Sequence, residues 1–134
     1  MNRKTERENT FILVFEEIFS DNQSAEELID IASTEANLEM SVYIKDLFLK
    51  VVENKELIDN KIKKYCKKWT IARIPKTSLA IIRMAVAEIL FTENISVSIT
   101  INSAVELSKK YSAEDDYKFV NGILSSIVKE NENG

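Results

Sequence analysis

Between residues 60 and 87 the chain carries eight basic residues and no carboxylate, although its 134 residues include 22 acids. The bases are Lys61, Lys63, Lys64, Lys67, Lys68, Arg73, Lys76 and Arg83, and the aromatic residues Tyr65 and Trp69 lie among them. Ammonium groups hold phosphates, and exposed rings stack on unpaired bases. Together they are the usual means of gripping single-stranded RNA. A second basic group, Arg3, Lys4 and Arg7, opens the chain and is partly offset by Glu6 and Glu8. The same lysines would also suit a solvated helix face. Tyr65 fits either a packed ring with a wet hydroxyl or a stacking platform.

The whole-chain charge of −4 hides this asymmetry. Residues 1–59 carry a net charge of −8 and residues 88–134 a net charge of −4, with the positive block between them. A segment of one sign creates a local field that the chain average conceals.

Other chemistries find little material. The chain has no histidine, which removes the commonest general base and metal ligand. Cys66 is alone, so no internal disulfide is expected, a cytoplasmic setting fits, and no partner activates its thiol. Cys66 reads as a small buried hydrophobe. There is no Gly-rich phosphate loop and no metal-spaced cluster. No enzyme, cofactor or metal is expected. No apolar run is long enough to cross a membrane, and the polar N-terminus does not resemble a secretory signal.

About seven helices are expected to position these residues. Phe11, Val14, Phe15, Ile18 and Phe19 form the stripe of a first amphipathic helix. Ser24-Ala25-Glu26-Glu27 has capping-box spacing and should start a second, running through Leu28, Ile31 and Ala32. A third is expected over about 41–53, with Val42, Ile44, Leu47, Phe48, Val51 and Val52. A fourth covers about 55–68, with Ile58, Ile62, Tyr65 and Cys66 inward. Pro75 marks the start of a fifth, apolar nearly all round from Leu79 to Phe91 except for Arg83 and Glu88. Such a helix belongs at the centre of a bundle. A sixth covers about 99–111, the brief alternation Val97–Ile101 being its approach rather than a strand. Ser112-Ala113-Glu114-Asp115 resembles a cap for a seventh, whose stripe is Phe119, Val120, Ile123, Leu124, Ile127 and Val128. The fold class is therefore all-α: an N-terminal helical group of about residues 1–70 packed on a C-terminal group of about 75–130.

Within the last helix, Gly122 reads first as a close crossing of another helix and second as room for a ligand. Asn121 reads as a hydrogen bonder within the bundle, or else a ligand contact. Phe119 is divided between core packing and a ring face open to a base. Asp115 is divided between helix capping and a hydrogen bond to a base. Trp69 reads as a core or inter-subdomain plug.

The last third also carries a resemblance. Ile101-Asn102-Ser103-Ala104-Val105-Glu106-Leu107, a turn, and then Lys118-Phe119-Val120-Asn121-Gly122-Ile123-Leu124 are similar to the C-terminal signature of the NusB family. Ile82 to Leu90, Trp69 with Arg73, and the opening Arg3-Lys4-Thr5-Glu6-Arg7-Glu8 resemble further family segments in the same order. The resemblance implies the NusB-type fold, two helical subdomains packed together, and no catalysis. It implies binding of the boxA element of nascent RNA together with NusE, a small-subunit ribosomal protein. That complex would join the antitermination assembly on RNA polymerase and suppress premature termination, notably in ribosomal RNA operons. By the same resemblance the RNA surface would include Arg3, Lys4, Arg7, Tyr65, Asp115, Lys118 and Phe119. Charge alone adds Lys61, Lys64 and Lys68. The NusE contact would lie near Ser78 and Glu88. The chain departs from the family pattern at Glu6, Ser78, Leu79, Ser96 and Ser103. A helical protein-interaction module without its own RNA binding remains the alternative, and a homodimer is left open.

Overall fold

The computed structural model describes residues 1–66 and 70–133. Among them are seven α-helices: α1 (Arg3–Ile18), α2 (Ala25–Thr34), α3 (Val42–Glu53), α4 (Lys55–Tyr65), α5 (Lys76–Phe91), α6 (Val97–Tyr111) and α7 (Asp116–Asn133). A single 3-10 turn, Ile71–Arg73, precedes α5. The described residues contain no strand.

Side-chain caps set several helix starts, because the first turn leaves backbone N–H groups without partners. The Asn2 side chain accepts from Thr5 N–H, and Ser41 from Ile44 N–H. Ser24 and Glu27 form the expected capping box at the start of α2. Ser96 accepts from Ile99 N–H, so α6 begins at Val97, two residues before the expected start. The alternating stretch Val97–Ile101 is its first turn.

The start of α7 differs from expectation. Ser112 does not cap it; its hydroxyl bonds the Thr77 hydroxyl at 2.9 Å. The carboxylate of Asp116 accepts the Ala113 N–H at 3.2 Å instead. Asp115 lies exposed, 3.5 Å from the Lys118 ammonium, and caps nothing with its side chain.

Helix α5 is the axle of the bundle. Every side chain from Ser78 to Ile89 is buried. Helices α1 and α3 pack on one part of it, and α4, α6 and α7 on the rest. One continuous core joins Val14, Phe48, Ile58 and Ile62 to Ile82, Val86, Leu124 and Ile127. An all-buried helix must neutralise its own charges, since an unpaired buried charge is costly. Arg83 does so through a bidentate pair with Asp59 of α4, Nε to Oδ1 at 2.9 Å and NH2 to Oδ2 at 2.8 Å. Glu88 does so through Arg7 of α1, Tyr43 of α3 and Thr100 of α6.

Some residues leave their expected places. Val42 and Phe19 are exposed rather than inward, because each sits at a helix end beyond the packed stripe. Helix α4 closes at Tyr65; the extension to residue 68 falls partly outside the described residues. Gly122 is not at a helix crossing: a Cβ built there meets nothing within 4 Å. Asn121 is exposed, so it does not bond inside the bundle.

Candidate nucleic-acid interface

Three groups of charged and aromatic side chains are built by α1, α4, α6 and α7. The first lies in the groove between α1 and α6. A cleft of about 230 Å³ is lined by Lys4, Arg7 and Glu8 from α1 and by Ser103, Glu106 and Lys110 from α6, with Leu107 at its base. Lys4 faces Glu106 at 3.6 Å, and Lys110 donates to Glu8 at 2.5 Å. The Tyr111 hydroxyl donates to the same Glu8 oxygen at 2.6 Å, while its ring packs 4.9 Å from Phe11. Donation from Lys110 first, then from Tyr111, holds the Glu8 carboxyl below its ordinary range. The same bonds push the Lys110 ammonium and the Tyr111 phenol upward.

The second group is the corner where α6 turns into α7. The Lys109 ammonium sits 4.7 Å from the centre of the Tyr117 ring, within the range of a cation–π contact. Asp115 and Lys118 face each other one turn further on. Lys109 and Lys110 are successive exposed residues of α6, about 100° apart around its axis, so the groove and this corner flank the same helix.

The third group lies towards the other end of α7. Lys64 donates to Glu130, and Lys61 stands 3.8 Å from the same carboxylate. Tyr65 is half-buried against the core, with the Lys64 ammonium 5.7 Å from its ring centre. Burial first, then the hydrogen bond with Glu130, raises the Tyr65 phenol. Lys64 donation in turn lowers the Glu130 carboxyl. From Lys118 to Glu130 the rise of an α-helix covers about 18 Å. The exposed residues Lys118, Gly122, Ser125 and Lys129 recur at i, i+4, i+7 and i+11 between them, one stripe of α7.

The expected site residues therefore separate. Lys4, Lys61, Lys64, Tyr65, Asp115 and Lys118 reach this band from three helices. Phe119 is half-buried and packed on the core. Arg3 faces the other way: its guanidinium lies 3.7 Å over the Tyr43 ring and donates to Glu6 at 2.9 Å. Arg7 is turned inward. Its Nε donates to both Glu88 oxygens at 2.8 and 3.0 Å, and NH1 to Ser103 Oγ at 3.3 Å. Only 6% of Arg7 is exposed, so it underlies the cleft rather than offering a free charge. Lys68 and Trp69 lie outside the described residues.

The expected partner contact needs correction. Ser78 and Glu88 are 0% and 1% exposed, because both belong to the axle helix. Neither side chain is reachable, so any contact in that region must use other residues. Sequence reasoning also passed over Lys109, Lys110, Tyr111, Tyr117 and Lys129. The signal was present: Lys109-Lys110-Tyr111 repeats the lysine–tyrosine mixture of residues 63–65.

Every described lysine of the three groups except Lys109 and Lys129 stands near a carboxylate. Exposed ion pairs of this kind are worth about 0–1 kcal/mol each. A phosphate can replace the carboxylate at small cost. The four carboxylates Glu8, Glu106, Asp115 and Glu130 offset most of the lysine charge of the band and make binding conditional on a strongly charged ligand.

Among the described residues no helix is long and apolar enough to cross a membrane, and no group of three or more acidic or sulfur side chains could hold a metal.

A model of the NusB family matches residues 5–129. The chain is 36% identical over 134 residues to the transcription antitermination protein NusB of Natranaerobius thermophilus, covering 97% of this chain and 96% of that one. It is 37% identical over 132 residues to the protein of the same name from Clostridium novyi, covering 96% and 99%. In three dimensions it resembles T. maritima NusB with a TM-score of 0.86 and 30% identity, covering 97% and 92%. It also resembles a chain in the crystal structure of antitermination factors NusB and NusE in complex with dsRNA, with a TM-score of 0.84, 30% identity and 96% of each chain covered.

Proposed function

The chain belongs to the NusB family, and from that premise we propose that its α4–α7–α6 band is the surface that meets RNA. The protein is an RNA-binding transcription antitermination factor, not an enzyme. It binds boxA RNA together with NusE and acts within the RNA polymerase antitermination complex, suppressing premature termination, notably in ribosomal RNA operons. It works in the cytoplasm, where nascent transcripts are. The RNA contacts are Lys4, Lys61, Lys64, Tyr65, Asp115, Lys118 and Phe119, joined by Lys109 and Lys110. Arg7 supports the cleft from beneath.

The observation that carries the placement is the band itself. Lysines from four helices each stand beside a tyrosine or a weakly held carboxylate. Cations grip the phosphates, and the tyrosine rings offer faces to unpaired bases. On α2, by contrast, Glu26, Glu27 and Asp30 stand with no basic residue beside them among the described residues, a surface that repels RNA.

Mobility shifts with boxA and scrambled RNA, each with and without NusE, test the function. The boxA complex should be the tighter one and should tighten further with NusE. If the six lysines displace counterions from a single strand, log K should fall with log salt at a slope of roughly −4. Binding that ignored salt and sequence alike would remove the reading.

A further inference from the structure

Gly122 stands in the middle of the 18-residue helix α7, exposed, with nothing within 4 Å of where a Cβ would be. Its φ is not positive, so the backbone does not call for glycine. No neighbouring helix approaches it, so packing does not call for it either. Glycine is among the poorest helix formers, and alanine at such a place should only strengthen the helix. The fold alone leaves this residue without a reason.

Its surroundings supply one. Lys118 precedes it by one turn on the same stripe, and Ser125 and Lys129 follow. Asn121 beside it is exposed and offers an amide with both donor and acceptor. The stripe runs between the Lys61–Lys64–Tyr65 group and the Lys109–Tyr117 corner. Along it, from Lys118 to Lys129, the exposed groups are amide, hydroxyl and ammonium. Gly122 is the only place on the stripe where a ligand can touch the helix backbone itself.

We propose that Gly122 is a strand-positioning contact: the RNA strand crosses α7 there, its sugar–phosphate backbone seated against the bare Cα, with Lys118 on a phosphate and Asn121 within reach of a ribose or base edge. The missing side chain sets how closely the strand approaches, and so whether the contacts on either side can form together. The inference rests on the RNA-binding reading and adds a residue to it.

Gly122→Ala, Gly122→Leu and Lys118→Ala separate the two. Urea midpoints and boxA affinity in the presence of NusE are measured for each. Both glycine variants should unfold at a urea midpoint equal to or above that of the parent. Their RNA affinity should fall, about tenfold for alanine and further for leucine, with the salt slope unchanged. Lys118→Ala should weaken binding and make the slope shallower. Gly122 variants that are more stable and bind RNA like the parent overturn the inference while the functional reading stands. Variants that lose stability also overturn it, since the glycine would then be structural. Loss of the NusE-dependent gain with RNA-alone binding intact assigns the stripe to a protein and overturns it too. A parent protein that binds no boxA RNA removes the functional reading and this inference together.

Discussion

Replacing Glu88 by glutamine should unfold the protein far more readily than any surface change. Glu88 is 1% exposed and accepts from three helices: Arg7 of α1, Tyr43 of α3, and Thr100 of α6 at 2.5 Å. Burial first, then the bond to Glu88, pushes the Tyr43 phenol far upward, so it stays a donor at any working pH. All three partners donate, and only a carboxylate accepts them all. A carboxamide keeps the shape but presents one oxygen and an NH2 group that faces donors. It also leaves the 6%-exposed Arg7 guanidinium without its counter-charge. Removing one member of a buried pair costs about 3–5 kcal/mol. With a urea m-value of about 2 kcal/mol per molar, the midpoint should fall by about 2 M. Arg7→Met alone should cost a similar amount, and the Arg7→Met/Glu88→Gln double variant less than the sum, because the two changes remove one interaction. A Glu88→Gln protein within about 0.5 kcal/mol of the parent would refute the argument that this node clamps α1 to α5. The node also changes the meaning of Arg7 substitutions: lost RNA binding in Arg7→Ala must be separated from lost folding.

Arg83→Lys should cost about 1–3 kcal/mol in the same urea assay, because an ammonium cannot reproduce the two parallel bonds to Asp59; a neutral outcome would show that the fork geometry is unimportant. Ser24→Ala removes the capping box of α2 and should cost about 1 kcal/mol, and hydrogen exchange should quicken in that first turn while α5 is unaffected. The Glu8 contribution should depend on pH. Its folded carboxyl lies below the ordinary 4.5, so its stabilisation is full above that value and is lost as pH falls through the lowered one. The stability difference between the parent and Glu8→Gln should therefore be constant at neutral pH and shrink below about pH 4.5; a difference that grew on acidification would reverse the assignment.

Much of the fold was legible because helical periodicity and caps are local signals. The apolar run Leu79–Phe91 gave the axle, and Ser24-Ala25-Glu26-Glu27 gave a helix start to the residue. What failed depends on which side of an element is covered, and one chain segment does not contain that information. The charges of Arg7 and Glu88, read as surface groups, meet inside across 81 residues of sequence. Gly122 looked like a crossing because mid-helix glycine usually is one, yet no helix comes near it. Ser112 resembled a cap, but Thr77 from another helix took its hydroxyl. The lysine block of 60–87 divided for the same reason: Lys61 and Lys64 face out towards α7, whereas Arg83 turns in to Asp59. The resemblance supplied the ligand, which no spacing in the chain could have named.

The central claim, that transcript RNA lies along the α4–α7–α6 band, is tested most directly by amide hydrogen exchange of the protein–NusE complex with and without boxA RNA. Added RNA should slow exchange over residues 61–66, in the α6–α7 corner and in α7 around Gly122, and leave α2 and α3 unchanged. Slowing confined to α2 and α3, with the band exchanging as before, would contradict it.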